Sequence, residues 1–270
     1  MNHAAAAPGS YWADATSPEL AALDPERTVV LLPVAAIEQH GPHLPLATDA
    51  LIAESLVGHA VATPRAQARV LALPPLPVGH SPEHERFPGT LSLDVTTLLA
   101  LWSAVAQGVA RSGARKLVLV NAHGGQRGLV DLAAVQWRAT LGLLVVRASW
   151  FDFGMPEGLF AADELAHGLH GGEIETSLLL HLRPDLVRRE HTQDFRGRTH
   201  DRAGHLLGPE RPLGYGWLAG DLHPAGVVGN AAAADAERGR RLHAHLAGRL
   251  DALIDELAAT PVAALLAPDA

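Results

Sequence analysis

Short runs of β-branched and leucine residues alternate along this chain with longer stretches whose apolar residues recur every three or four positions. The runs Thr28–Val34, 69–73, 116–120 and 143–148 predict strands, and their near-continuous hydrophobicity suits strands covered on both faces. Between them, 50–61, Val95–Arg111 and 126–141 carry helical spacing. Asp94 is placed to cap the second of these helices, and Gly113 falls just past its end. Glu173–Leu182 reads as a short helix halted before Pro184. The segment 234–259 reads as an amphipathic helix with Leu242, Leu246, Leu250 and Leu253/Ile254 on one stripe. Strands alternating with helices predict an α/β fold, a mostly parallel sheet with helices on both faces. No internal repeat or linker divides the 270 residues, so the chain reads as one domain, 1–270, with an N-terminal extension over 1–27.

Two stretches break the pattern. Residues 153–170 are irregular and Gly-containing, a candidate loop over a site. Residues 191–230 are rich in Gly, His, Arg and Pro, an irregular length uncommon inside a compact domain and a place to look for substrate selectivity. In open parallel sheets, ligands gather outside the carboxyl ends of the strands. The sequence puts polar residues there: Glu38-Gln39-His40-Gly41-Pro42-His43 follows the first strand, and Asn121-Ala122-His123-Gly124-Gly125 follows the third. Glu38 and His40, two apart in extended chain, project to one side. The Gly41-Pro42 turn lets Asp49 return toward them, where one carboxylate could bridge two cations. In His170-Gly171-Gly172-Glu173 the His and Glu are three apart, one helical turn. Carboxylate oxygen together with imidazole nitrogen suits Zn²⁺ or Mn²⁺.

Composition narrows the classes. There is no cysteine, which excludes disulfides, thiolate metal sites and cysteine nucleophiles. A net charge of -8 argues against nucleic acid, whose phosphates are bound by clustered Lys and Arg. Residues 1–10 lack the basic start and apolar core of a secretory signal, and no apolar stretch is long enough to span a bilayer. The expectation is a cytoplasmic chain with no membrane partner. Of the 16 histidines, His243 and His245 lie in a charged helical pattern and are expected to be exposed. No G-x-S-x-G elbow, P-loop or G-x-G-x-x-G motif is present, and Ser177 sits mid-helix without a base of its own, so serine hydrolases and nucleotide binders lack support.

Five segments in order, IEQHGPHLPLATD, FPGTLSLD, VLVNAHGG, HGGEIETSLLL and DLHPAGVVGNA, make the chain similar to the creatininase (creatinine amidohydrolase) family over nearly its whole length. The resemblance implies a three-layer α/β/α sandwich, two divalent metal ions per subunit (Zn, Mn or both, with Fe possible), C–N bond hydrolysis and a homo-oligomer, usually a hexamer. It implies Glu38, Asp49 and His123 around one metal, and His40, Asp49 and a further carboxylate around the second. Creatininase itself has Tyr-Glu directly after the matching His, where this chain has Gly124 and Gly125. Glu173, as in other branches of the family, is the expected replacement ligand, ahead of Glu175, which is otherwise expected to orient a ligand or cap the helix. His170 matches the catalytic His that moves the proton. Ser81, His80 and Phe151 are expected beside ligands or substrate, Glu83 and His84 as pocket lining, and His43 in a structural role. Asp221 and His223 are expected to order a loop or an oligomer contact. The aromatic residues of creatininase are not kept: its Trp-Asp pair falls on Ala166 and His167, and the Trp of its Tyr-Trp-Asp-Phe segment on Phe151. The expected substrate is therefore a small-molecule amide other than creatinine, such as a cyclic amide or formamide. The alternatives are a peptidase trimming a redox-cofactor precursor peptide and a non-catalytic metal- or ligand-binding relative.

Overall fold

Near-continuous apolar strands need cover on both faces, and the computed structural model, which describes residues 9–210 and 212–267, supplies it. The central sheet contains β1 (Ser10–Tyr11), β2 (Thr28–Val34), β3 (Arg69–Ala72), β4 (Lys116–Asn121) and β5 (Leu144–Ser149). The order is β1-β3-β2-β4-β5 and every pairing is parallel. The α-helices among the described residues are α1 (Ser17–Ala21), α2 (Thr48–Ala62), α3 (Val95–Arg111), α4 (Arg127–Leu141), α5 (Ala162–His167), α6 (Glu173–Leu182), α7 (Arg198–Asp201), α8 (Ala219–Leu222), α9 (Ala236–Ala259) and α10 (Val262–Leu265).

Side chains alternate across the sheet with period two, and the two faces build separate cores. Val29 and Leu31 of β2 and Val118 and Val120 of β4 pack with Ile52 and Leu56 of α2, Leu178 and Leu179 of α6, and Leu242, Leu246, Leu250 and Ile254 of α9. Val30, Leu32, Leu117 and Leu119 pack on the other side with Leu98 and Trp102 of α3 and Val130 and Trp137 of α4. This is the α/β/α sandwich with a parallel sheet that the sequence predicts. Asp94 caps α3 by accepting from the Thr97 amide at 3.0 Å. Pro33 is tolerated in a central strand because its nitrogen faces the side where β3 has already ended: pairing with β3 stops at Leu31–Ala72, whereas pairing with β4 runs on to Val34–Asn121.

Several sequence expectations change. The 1–27 extension contains a sheet edge, since Ser10 and Tyr11 pair with Leu71 and Ala72; two residues are too short to show periodicity. The 153–170 segment holds α5, and 191–230 holds α7, α8 and a small antiparallel pair, β6 (Asp194–Phe195) with β7 (Gly229–Asn230). His243 is half-buried beside His181 rather than exposed, and His245, also half-buried, donates to the Phe153 carbonyl. Among the described residues no helix is long and apolar enough to cross a membrane.

One buried charge anchors the C-terminal helix to the sheet. Lys116 is fully buried at the start of β4, and its ammonium donates to the carbonyls of Glu26, Leu257 (2.8 Å) and Thr260 (2.8 Å). Replacing it with methionine keeps the stem but takes the ammonium from all three carbonyls, of which Leu257 alone keeps another partner among the described residues, the Thr260 amide at 3.3 Å. The expected loss is about 3 kcal/mol in urea unfolding; a loss under about 0.5 kcal/mol would mean that water replaces the ammonium there.

Candidate metal centre

Because β2 and β4 are paired in register through Val34 and Asn121, the residues just beyond their carboxyl ends must meet. Beyond β2, Glu38 and His40 are held by the Glu38 amide donating to Leu46 O (3.0 Å) and by Gly41, whose φ of 71° favours glycine. The chain turns into α2, and Asp49 enters from its first turn. Ala47 is the cap of α2, with no side-chain bond, so the Asp49 carboxylate points to the site instead of capping its own helix. Beyond β4, Asn121 fixes the turn by accepting from the His123 amide (3.2 Å) and donating to the His123 carbonyl (2.9 Å), leaving the imidazole free.

These side chains converge in a buried cluster. Asp49 Oδ1 lies 3.2 Å from His40 Nε2, and its Oδ2 lies 3.3 Å from His123 Nδ1. Glu38 Oε1 is 3.3 Å from His123 Nδ1 and 3.7 Å from His170 Nδ1. Three sets of donors lie close enough to hold a cation: Glu38, His40 and His170; Glu38, Glu83 and His123; and His40, Asp49 and Glu175.

The far nitrogen of each imidazole decides what the near one can do. Nδ1 of His40 faces the Glu38 carbonyl at 3.1 Å, and Nε2 of His123 faces the His80 carbonyl at 3.1 Å. A carbonyl accepts only, so those nitrogens carry the protons. Neutral imidazoles must therefore aim a lone pair at the carboxylates of Asp49 and Glu38, lone pair against lone pair. His40 Nε2 and Asp49 Oδ2 are accordingly buried with no hydrogen-bond partner. Only a cation between them removes the repulsion, either a proton or a metal. Burial pulls the His40 imidazole down, yet Asp49, Glu175 and Glu38 together hold it up at about 9. Burial is likewise outweighed at His123 by Glu38, Asp49 and Glu83, which raise it well above its ordinary value. Asp49 is held below the carboxylate range because His123 and His40 outweigh its burial. The cluster favours positive charge between its donors, and the donor set fits a divalent metal ion.

Neighbouring residues hold these donors in place. The Ser81 hydroxyl donates to Glu38 Oε2. His80 turns its own ring to the Leu93 carbonyl (2.8 Å), so its part in the site is the backbone oxygen that orients His123. His43, kept neutral by burial at about 4, reaches Gly171 O and Thr176 Oγ1, both at 3.0 Å. His84 stacks on His170 at 4.2 Å and accepts from Gln39 Nε2 at 2.7 Å.

Glu173 does not reach the cluster. Its buried carboxylate is ion-paired with Arg238 of α9. Glu175 takes the place expected of it: its carboxylate joins His40 and Asp49 and accepts from the Gly171 amide at 2.6 Å. The reason is helical phase. The helix begins only at Glu173, and Gly171 (φ 63°) lies outside it, so the one-turn relation between His170 and Glu173 does not hold. Two positions further on, Glu175 lies about 200° around the helix from Glu173. Glu83 is the residue that sequence reasoning undervalued. Its Oε1 is 3.3 Å from His123 Nε2 and lies 1.9 Å from where a Cβ on Gly125 would stand. The glycine at 125 thus leaves room for a carboxylate from another part of the chain.

The cluster opens into a cavity of about 670 Å³ whose walls include Trp150, Phe151, Leu165, Tyr215 and Trp217. Both irregular stretches of the sequence contribute to these walls. Asp221 and His223 are not among the lining residues.

Residues 13–254 match the family profile described as Creatininase, creatinine amidohydrolase. The chain is 36% identical over 240 residues to the mycofactocin precursor peptide peptidase of Mycobacterium tuberculosis, covering 85% of this chain and 84% of the relative. Among solved structures, a manganese form of creatininase superposes with a TM-score of 0.70 at 25% identity, covering 93% of this chain and 100% of that one. A mutant creatininase of the Zn–Zn type gives 0.71 at 26% identity, covering 94% and 100%.

Proposed function

The chain belongs to the creatininase family, and from that premise we propose that it is a dinuclear metal-dependent hydrolase cleaving an amide C–N bond at the end of a short peptide. The observation that carries the reading is the pair of imidazole lone pairs, from His40 and His123, aimed at the two oxygens of Asp49. Glu38, His123 and Asp49 would hold one ion, with Glu83 beside it, and His40, Asp49 and Glu175 the other. Zn²⁺ and Mn²⁺ suit these donors, and Fe²⁺ is compatible. When bound, such ions supply hydroxide at neutral pH and polarise a carbonyl oxygen.

The chain's own residues supply proton transfer and fit. His170 Nε2 donates to the Gln39 carbonyl at 2.7 Å, which leaves Nδ1 as the free base facing the cluster. Burial, reinforced by His40, lowers its pKa, so the imidazole is neutral and able to accept a proton near pH 7. The same proton can then pass to the leaving nitrogen. Gly172 on the cavity wall leaves room for the Glu164 carboxylate and the Gly229 backbone, which a side chain there would strike.

Cavity size favours a peptide over the small amide expected from sequence. A cavity of about 670 Å³ is in the range of pockets that enclose drug-sized ligands, more than a single small ring fills. Its aromatic walls suit apolar side chains, and the similarity to a precursor-peptide peptidase points the same way. Turnover of short peptides, with no cleavage of cyclic amides or formamides, is the expected result when both sets are followed by mass spectrometry. Cleavage of the small amides alone would restore the earlier expectation. A homo-oligomer belongs to the same reading and is read by light scattering.

His170→Ala separates an enzyme from a metal-binding relative. Metal content should stay at the wild-type level while kcat falls by about 10²–10⁴. Unchanged turnover would remove His170 from the mechanism, and loss of metal would make it a ligand.

A further inference from the structure

A second cluster of metal-binding side chains lies outside this centre, where α5 meets α7. Asp163 and His167 are four apart on α5 and share a face. His200, on α7, reaches that face: its Nε2 lies 2.9 Å from Asp163 Oδ2, and its ring centroid is 4.3 Å from that of His167. One donor atom from each of the three lies within 4.8 Å of the others. Thr199 fixes the approach, its hydroxyl donating to the His167 carbonyl at 2.9 Å.

We propose that Asp163, His167 and His200 form an additional site for a borderline divalent cation such as Zn²⁺, which ties α5 to α7. The donor chemistry is right, two imidazoles and one carboxylate. One carboxylate oxygen satisfies His200, whereas the His167 ring has no hydrogen-bond partner among the described residues. A cation uses all three groups at once. The spacing is also close to correct: tetrahedral ligands about 2.05 Å from zinc stand about 3.3 Å apart, so the 2.9 Å pair needs to open by only a few tenths of an ångström. The His200 side chain is 7% exposed and that of Asp163 66%, which makes a site enclosed on the imidazole side and open to solvent on the carboxylate side.

Its position gives it a consequence. Glu164, next to Asp163, accepts from the amides of Glu173 (2.7 Å) and Asn230 (2.8 Å) and lines the main cavity. His167 instead lines a separate cavity of about 500 Å³ with Thr199, Arg202 and His205. The helix α5 is therefore the wall between the two cavities, and a cation at its outer face would hold that wall against α7.

The test is Zn²⁺ binding by calorimetry on untagged protein whose main centre is already loaded. It is run on wild type, His200→Ala and Asp163→Asn, with His191→Ala as a surface-histidine control. The readout is the difference between proteins, so the number of ions in the main centre does not enter. Wild type and the control should take up one more equivalent than the two variants, whose affinity for it falls at least about 100-fold, since even outer partners of ligands are worth 10–100-fold. That ion should also slow hydrogen exchange across 162–167 and 198–201 in wild type only. Equal uptake by wild type and both variants would overturn the site, as would no extra equivalent in wild type. Binding without slowed exchange would overturn the tie between α5 and α7.

Discussion

Replacing Asp49 with alanine is expected to empty both halves of the main centre at once. The two oxygens of Asp49 face different imidazoles, one facing His40 at 3.2 Å and the other His123 at 3.3 Å, with the residue 2% exposed. Without it each imidazole keeps its aimed lone pair but loses the one anion that faces both rings, and Glu38 alone stays opposite His123 Nδ1. Metal measured by inductively coupled plasma mass spectrometry should fall from about two ions per chain to below one. The value of kcat/KM should fall by at least about 10³, or roughly 4 kcal/mol of transition-state stabilisation. Misfolding does not offer an alternative explanation. Asp49 makes no capping bond to α2, and Glu38, Glu83 and Glu175 stay beside His40 and His123 as counter-charges once its carboxylate is gone. Circular dichroism should be unchanged. A variant that keeps both ions and its turnover would show that Glu38, Glu83 and Glu175 suffice.

The sequence carried the sheet and much of this cluster for one reason. Strands buried on both faces are continuous apolar runs, and β2 is found at Thr28–Val34, as the pattern predicts. Once β2 and β4 are parallel neighbours, their carboxyl ends bring Glu38, His40 and His123 together without further information. What the sequence did not show depends on phase or on contacts distant in the chain. Choosing between Glu173 and Glu175 requires knowing where α6 begins, and two glycines before it hide that point. Glu83 reaches His123 from a loop forty residues earlier in the chain, and spacing alone cannot reveal such a contact. The helix α5 is six residues long, too short for a 3.6-residue period to stand out. Lys116 reads as the polar start of a strand, and its three carbonyl partners come from both ends of the chain.

That phase argument yields the second large effect. Glu175→Gln should lose about one ion per chain, because a neutral amide in place of the carboxylate weakens the set it forms with His40 and Asp49. Turnover should fall by about 10² or more, as the proposed two-metal clamp would become a single site. Glu173→Gln should behave in the opposite way. Its partner is Arg238, which also donates to the Ala233 carbonyl and lies 5.8 Å from the Phe160 ring. Breaking that pair loosens α6 from the start of α9 and should cost about 2 kcal/mol in urea unfolding, while metal content stays at the wild-type level. The two variants differ by the same single atom replacement, so charge alone cannot account for a difference between them. If Glu173→Gln loses an ion and Glu175→Gln does not, α6 is rotated in the working enzyme. The carboxylate expected from the sequence would then be the ligand after all.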